Sequence, residues 1–380
     1  MLYISDTSTN PYFNLAEEEF LLKNMQEDIF RLWRNSPSII VGRYQNTIAE
    51  IDTEYTQTHH IPVVRRLTGG GAVFHDLGNL NFTFIQNLDS PKNASGTDNT
   101  DAHGADKKAL HGSSFADTSE MFRTFTAPII EALRSIGINA CLQGRNDLSI
   151  DGLKFSGNAI CIHKQRLLMH GTLMFDVSKT DLSKALKPRP EKFIGKAVKS
   201  NVKRVTNIKE HLTAEGILSN PLATRLLQER EKQSTGKNAT EQAADTLWLK
   251  QFLGDYICSH TPGITPYTFS EEQLQEIGEL EQTRYRSDSW NFGKSPEYAF
   301  SNIRKFPSGI IELYFNVRSG KITDLNIQGD YFFTRPTEEF IRQIEGTLHT
   351  RESLRKKTGT LEVGAYFAGI SSEDVVNLFF

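Results

Sequence analysis

The chain has 380 residues, 38% hydrophobic and 10% aromatic, with a mean hydropathy of -0.42. That length exceeds the usual ~100–200 residues of one domain, and the composition excludes a wholly disordered chain. Forty-three basic against 46 acidic side chains leave a net charge of -3, too small for a global field toward nucleic acid or acidic lipid, so any anion site has to be local.

No apolar run approaches the ~18 residues of a membrane-spanning helix. Cys141, Cys161 and Cys258 are widely spaced and form no CxxC, so they read as buried small hydrophobes rather than a disulfide framework or zinc site. The first residues read as a strand entering a turn, without a basic or apolar presequence, and a reducing cytoplasm is the expected compartment.

In chain order, Asn14-Leu15-Ala16-Glu17 offers a capping residue with Glu three positions on, and Ala16, Phe20 and Leu21 continue a helical stripe, which predicts a helix from residue 15. Residues 38–43, 62–66 and 80–84 predict strands; in the last, Leu80, Phe82 and Phe84 face one way and Asn81 and Thr83 the other. Phe122, Phe125, Ile129, Leu133 and Ile136 predict a helix ending at Gly137, kinked at Pro128. Asp151-Gly152 supplies the positive φ angles of a two-residue hairpin, so residues 148–150 should pair with 153–155 and Lys154 should stand on a hairpin strand. Residues 163–166 form another tight connection, from which the chain returns along 167–175.

Residues 88–117, rich in Asn, Asp, Ser and Gly and without periodicity, read as a surface insertion. Residues 187–204 hold seven basic side chains and one acidic one, which fits either a solvated face or a cationic loop over an anionic ligand. A polar stretch from about residue 228 precedes a second unit. There Ile311, Leu313, Phe315 and Val317 share a strand face, Ser319-Gly320 turns, 322–327 returns, and helices at 337–348 and 372–380 cover the sheet. With no cluster of Lys, His and Gly, this unit is expected to stay away from the reacting atoms.

The sharpest chemical feature is Arg65-Arg66-Leu67-Thr68-Gly69-Gly70-Gly71-Ala72-Val73-Phe74-His75-Asp76. Three glycines allow backbone conformations closed to other residues and let N–H groups approach an anion, with Arg66 as a charge beside them. The order is neither GxxxxGK[ST] nor GxGxxG, and a triple glycine alone is also compatible with a plain turn. A second group comprises Gly144-Arg145-Asn146-Asp147, Lys154-Phe155-Ser156-Gly157-Asn158-Ala159 and Met169-His170-Gly171-Thr172. Alternation puts Lys154 and Ser156 on one face, with Gly157 beyond, where an ammonium can hold a phosphate or carboxylate. His75 and His170 fit ligand contacts, metal ligands or satisfied core histidines, and no third ligand at metal spacing points to zinc. No Gly-x-Ser-x-Gly elbow or Cys-centred nucleophile appears, which leaves nucleotide activation.

Together with Asn14 to Glu19, Leu32-Trp33-Arg34-Asn35, Val41 to Asn46 and Trp290 to Pro296, these blocks resemble the lipoate-protein ligase A family over nearly the whole chain. The resemblance implies an α+β fold: a biotin/lipoate ligase-like catalytic domain, residues 1–262, with mixed β-sheets and flanking helices, plus a small α/β C-terminal accessory domain, residues 263–380. It implies that lipoate and ATP, with Mg2+, give lipoyl-AMP and pyrophosphate, and that the lipoyl group passes to a lysine of an acceptor domain, an E2 subunit or the glycine-cleavage H protein. Neither nucleic acid nor membrane is implied as a partner.

By the same resemblance Lys154 is the catalytic lysine. Arg66, Gly69, Gly70, Gly71, Ala72, Val73, Phe74 and Asn146 join it as ATP or lipoyl-AMP contacts. Glu18, Trp33, Thr68, His75 and His170 wall the lipoate pocket, and Asp147 stands on the metal side, with Mg2+ held mostly by phosphates. The chain departs from the family pattern at Met169, where a first His is common, at 199–205, where Lys203 stands in for an Arg, and in the 88–117 insertion. A lipoyltransferase using preformed lipoyl-AMP or an acyl thioester is the nearest alternative, and a non-catalytic lipoate-binding protein a more distant one.

Overall fold

The computed structural model describes residues 1–45, 47–88, 115–178, 180–181, 185–186, 205–232, 244–292, 300–318 and 320–380. The basic loop at 187–204, the expected insertion apart from its two ends, and Gly293 to Pro296 lie outside the described residues.

Among the described residues the strands, in chain order, are β1 Leu2–Ser5, β2 Ile29–Trp33, β3 Ser38–Val41, β4 Val63–Arg65, β5 Val73–His75, β6 Asn79–Asn87, β7 Ala140–Gln143, β8 Asp147–Ile150, β9 Leu153–His163, β10 Arg166–Met174, β11 Thr265–Pro266, β12 Phe300–Phe306, β13 Gly309–Arg318 and β14 Lys321–Gly329. They form an eight-stranded sheet in the order β11-β1-β2-β6-β10-β9-β8-β7 and two three-stranded sheets, β4-β3-β5 and β12-β13-β14. In the large sheet β1 runs parallel to β2 and β11, while β2 through β7 pair antiparallel. The mixed sheets and flanking helices agree with the expected α+β class.

Helix α1, Pro11–Asn24, begins four residues before the predicted start. Its cap is Asn10, whose side chain accepts from the backbone N–H groups of Tyr12 and Phe13, with Pro11 in the first turn; such a cap is worth about 1 kcal/mol. Asn14 cannot cap because it is buried within the helix, where its Nδ2 donates to Arg34 O at 2.8 Å and Asn35 Oδ1 at 2.9 Å.

Each face of the large sheet is covered. Leu15, Phe20 and Leu21 of α1 pack with Ile85 and Leu168 on one side. On the other, Phe122 and Leu133 of the helix Phe115–Arg134 and Trp248 and Phe252 of the helix Thr246–His260 pack on Phe82, Phe84 and Ile160. The alternation read in β6 holds, yet Asn81 and Thr83 face α1 and are as buried as the apolar residues, at 1% and 0% exposure. Polar side chains on a covered sheet face require partners, which makes that face the place to look for a site.

The Asp151-Gly152 turn is as expected, with φ of 50° and 79°, and joins β8 to β9. A register shift between Leu148 and Ser149 breaks the simple alternation beyond it: Phe155 and Ser156 are both buried and Lys154 alone of the three lines a cavity. Cys161 is buried, and burial pushes its thiol up to about 12, but Cys141 is exposed, contrary to the expectation for all three cysteines.

In the second unit Ile311, Leu313 and Phe315 of β13 join the same apolar cluster as α1. Thr265–Pro266 extends the large sheet beside β1, and the helix Glu271–Leu280 packs on α1, so the expected division at 262/263 falls within the packing of that sheet. Among the described residues no helix is long and apolar enough to cross a membrane.

Candidate active site

A cavity of about 570 Å³ opens between α1, the covered face of the large sheet, the glycine loop and the second unit. Of the residues expected from sequence, Trp33, Arg66, Gly70, Gly71, Ala72, Val73, His75, Asn146, Asp147, Lys154 and His170 line it. Glu18 and Thr68 stand behind the wall, Phe74 is buried in a neighbouring apolar cluster, and Gly69 faces away toward the second unit.

The closed end is built by one buried chain of hydrogen bonds. Trp33 Nε1 donates to Thr83 Oγ1 at 2.9 Å, which donates to Glu18 Oε1 at 2.5 Å. From the other side, Arg66 Nε donates to Thr68 Oγ1 at 2.9 Å, Thr68 Oγ1 lies 2.7 Å from His170 Nε2, and His170 Nδ1 lies 3.0 Å from Glu18 Oε2. A carboxylate can only accept, so His170 donates from Nδ1 to Glu18, and both arms end on Glu18. Burial alone pushes the Glu18 carboxyl up, but His170, Arg31 and Thr83 outweigh it and hold the group below its ordinary value. Glu18 and Thr68 thus act through the wall residues they orient.

Arg66 is spent on the loop itself. Its Nη2 donates to Gly69 O at 2.6 Å and Gly71 O at 2.9 Å, and its Nη1 to Ile40 O at 3.1 Å. Burial lowers it to about 10, so it remains a cation at neutral pH. The carbonyls of the loop point at Arg66, and Gly70 takes a φ of 90° to permit it. Gly69 is required for a different reason: a Cβ there would come within 2.3 Å of Tyr331 O. Gly69→Ala is expected to lose about 2 kcal/mol of stability by overpacking, measured by denaturant unfolding; an unchanged midpoint would mean the loop and the second unit are not in this contact.

At the open end, Lys154 Nζ lies 2.7 Å from Asp147 Oδ1, with their side chains 28% and 15% exposed. A Cβ on Gly157 would sit 3.2 Å from the ammonium, so the missing side chain leaves the lysine room over the backbone. Asn146 is held to β9, donating from Nδ2 to Asn158 O at 2.6 Å and accepting at its backbone oxygen from Asn158 Nδ2 at 2.9 Å.

Sequence reading missed part of the wall. Lys305, Phe306, Pro307, Gly309, Asp330 and Phe332 of the second unit line the cavity, a share in the wall that the sequence did not anticipate. Arg145 fastens it there: its guanidinium carbon lies 4.0 Å from the Phe332 ring centroid and its Nη1 donates to Ser308 O at 2.8 Å. Arg145 stood in a quoted motif, but only the fold reveals its partner. Among the described residues no group of three or more His, Cys, Asp or Glu side chains stands close enough to hold a metal.

Residues 10–102 and 107–229 match the lipoyl protein ligase A/B catalytic domain family, and residues 295–379 match the bacterial lipoate protein ligase C-terminus family. The chain is 35% identical over 381 residues to lipoate–protein ligase 1 of Staphylococcus aureus, covering 100% of this chain and 99% of that protein. It is 34% identical over 383 residues to the lipoate-protein ligase LplJ of Bacillus subtilis, covering 100% of both. Among solved structures, P. falciparum LipL1 in complex with lipoate is similar in fold, with a TM-score of 0.65 at 24% identity over 95% of this chain and 94% of that one. A bipartite lipoate protein ligase of Thermoplasma acidophilum, studied with its E2 lipoyl domain, aligns with a TM-score of 0.52 at 25% identity over 79% of this chain and 98% of that one. With two family matches in order along the chain and full-length relatives above 30% identity, the chain belongs to the lipoate-protein ligase family.

Proposed function

We propose that this chain activates lipoate with ATP to lipoyl-AMP and transfers the lipoyl group to a lysine of a lipoyl-acceptor domain, with Lys154 as its catalytic residue. The observation that carries the reading is the layout of one cavity: a closed end where buried Leu15, Trp33 and Ile40 stand beside the polar His75 and Asn81, and an open end with the Lys154 ammonium. That layout suits an acid entering tail first. Its carboxylate then lies beside the lysine.

In the first step a carboxylate oxygen attacks the α-phosphorus of ATP, the bond to the bridging oxygen breaks, and pyrophosphate leaves. In the second the acceptor amine attacks the acyl carbonyl, loses a proton and displaces AMP. Two anions have to meet in the first step, and a cation fixed between them lowers that barrier. Lys154 serves the carboxylate and the α-phosphate, while Arg66 keeps the loop in shape and the backbone of Gly70, Gly71, Ala72 and Val73 walls the nucleotide side.

Mg2+ is proposed as the companion of ATP. Of the expected ligands the protein offers Asp147, already paired with Lys154, which fits an ion carried mainly on phosphates. Acceptor domains of the E2 or H-protein kind, a cytoplasmic setting and a catalytic unit followed by an accessory unit belong to the same proposal.

Exchange of labelled pyrophosphate into ATP that depends on lipoate is the expected result. Transfer from supplied lipoyl-AMP without any such exchange would favour the transferase reading instead.

A further inference from the structure

Two buried donors in the cavity wall have no hydrogen-bond partner among the described residues: Asn81 Nδ2 and His75 Nε2. They are 1% and 3% exposed. Neither is free to turn. Asn79 Nδ2 donates to Asn81 Oδ1 at 2.9 Å, which commits the amide oxygen and leaves the NH2, on a residue that lines the cavity, without a partner among the described residues. Asn14 Nδ2 donates to Asn35 Oδ1 at 2.9 Å, so Asn35 presents its own NH2 to His75 Nδ1 at 3.0 Å. An imidazole that accepts at Nδ1 carries its proton at Nε2, and burial beside Arg66 and His170 lowers His75 to about 3, keeping it neutral. Orphaned buried donors are rare enough to require an explanation, and an unmade contact with a ligand is one.

Both donors flank the same indole. The His75 and Trp33 ring centroids are 6.3 Å apart, and Asn81 is the register partner of Trp33 across β2 and β6. Along the sheet, Asn81 is paired with Thr172, whose Oγ1 lies 3.3 Å from the N–H of Gly157. Two strand spacings, roughly 10 Å, therefore separate Asn81 from the backbone under the Lys154 ammonium. That is about the reach of a five-carbon chain ending in a ring. A carboxylate does not belong at this end, because the Glu18 carboxylate stands behind the wall through Thr83.

We infer that the Asn81 amide and the His75 Nε2–H are specificity determinants, donating weak hydrogen bonds to the two sulfurs of a 1,2-dithiolane ring and so selecting lipoate over acids with a plain hydrocarbon tail. The inference rests on the reading of lipoate as acyl substrate. Sulfur is a weak acceptor; the selection comes from the alternative, in which an alkyl tail fills the same space and leaves both donors buried and unpaired.

The test compares kcat/KM for pyrophosphate release from ATP with three acids: lipoate, octanoate, and 5-cyclopentylpentanoate, which keeps the ring and removes both sulfurs. The wild-type chain is expected to prefer lipoate to the carbocycle by about tenfold or more. Asn81→Leu should bring that ratio close to unity. A wild-type chain that takes lipoate and the carbocycle equally, or an Asn81→Leu chain that loses activity on all three acids by one factor, overturns the inference. Should Asn81→Leu fail to fold, Asn79→Ala retains the Asn81 side chain and removes only what holds its oxygen. It is expected to lower the same ratio, and an unchanged ratio in a folded Asn79→Ala chain counts against the inference equally. A folded wild-type chain that releases pyrophosphate with none of the acids overturns the proposed function itself, a result distinguishable from equal use of all three.

Discussion

Replacing Lys154 by alanine is expected to lower lipoate-dependent pyrophosphate release by at least about 10²-fold, close to 3 kcal/mol of transition-state stabilisation, while leaving the fold intact. The side chain is 28% exposed at the cavity mouth and forms an ion pair with Asp147, itself at 15% exposure. Removing it strands no deeply buried charge, so the loss should appear in turnover and not in the unfolding midpoint. Lys154→Arg provides the control on geometry. A guanidinium keeps the charge but spreads it over a planar fork, and the restricted space over Gly157 was fitted by an ammonium; only partial recovery is expected. Near-normal pyrophosphate release by the alanine variant would remove Lys154 from the mechanism.

The second large effect is on stability in acid, and its source is His75. The ordinary value for the imidazole is 6.5, and burial, then Arg66 and His170, lower it to about 3. The unfolded chain therefore takes up a proton at this residue near pH 6.5, while the folded chain refuses it until about pH 3. The stability that His75 contributes is fully present above pH 6.5 and is lost as pH falls through that window. At about 1.4 kcal/mol per unit the loss reaches about 3 kcal/mol by pH 4. Burial also raises the Glu17 carboxyl well above its ordinary value and lowers His163, so other groups contribute to the pH dependence. The readout is accordingly the difference between the wild-type chain and His75→Gln, measured as unfolding free energy from pH 7 to pH 4. The wild-type curve should fall more steeply. Parallel curves would mean that His75 is protonated as readily in the folded chain as in the unfolded one.

What the sequence determined by itself are the features set by near neighbours. Asp151-Gly152 takes positive φ whatever surrounds it, so the hairpin that carries Lys154 follows from two residues. The alternation of 80–84 survives in β6 because a strand turns each successive side chain to the opposite face. The family is likewise legible, because its blocks are local strings: the glycine loop, the lysine strand and the His170 strand.

Contacts between elements distant in sequence decided the rest. Asn14 had the credentials of a cap, but Arg34 and Asn35 drew its side chain into the interior, and Asn10 ahead of Pro11 took the role. Arg66 was read as a charge facing the nucleotide. The fold turns it onto the carbonyls of its own loop, because buried carbonyls need donors and a guanidinium is the nearest. Gly69 has its reason in Tyr331, more than 250 residues away, and the second unit enters the cavity wall through Arg145 stacking on Phe332. None of these partners can be found by spacing or composition. The two orphaned donors are the clearest case. Asparagine and histidine at positions 81 and 75 say nothing about what they lack, and only a tertiary structure, by filling one side of each with Asn79 and Asn35, shows which side was left for a ligand.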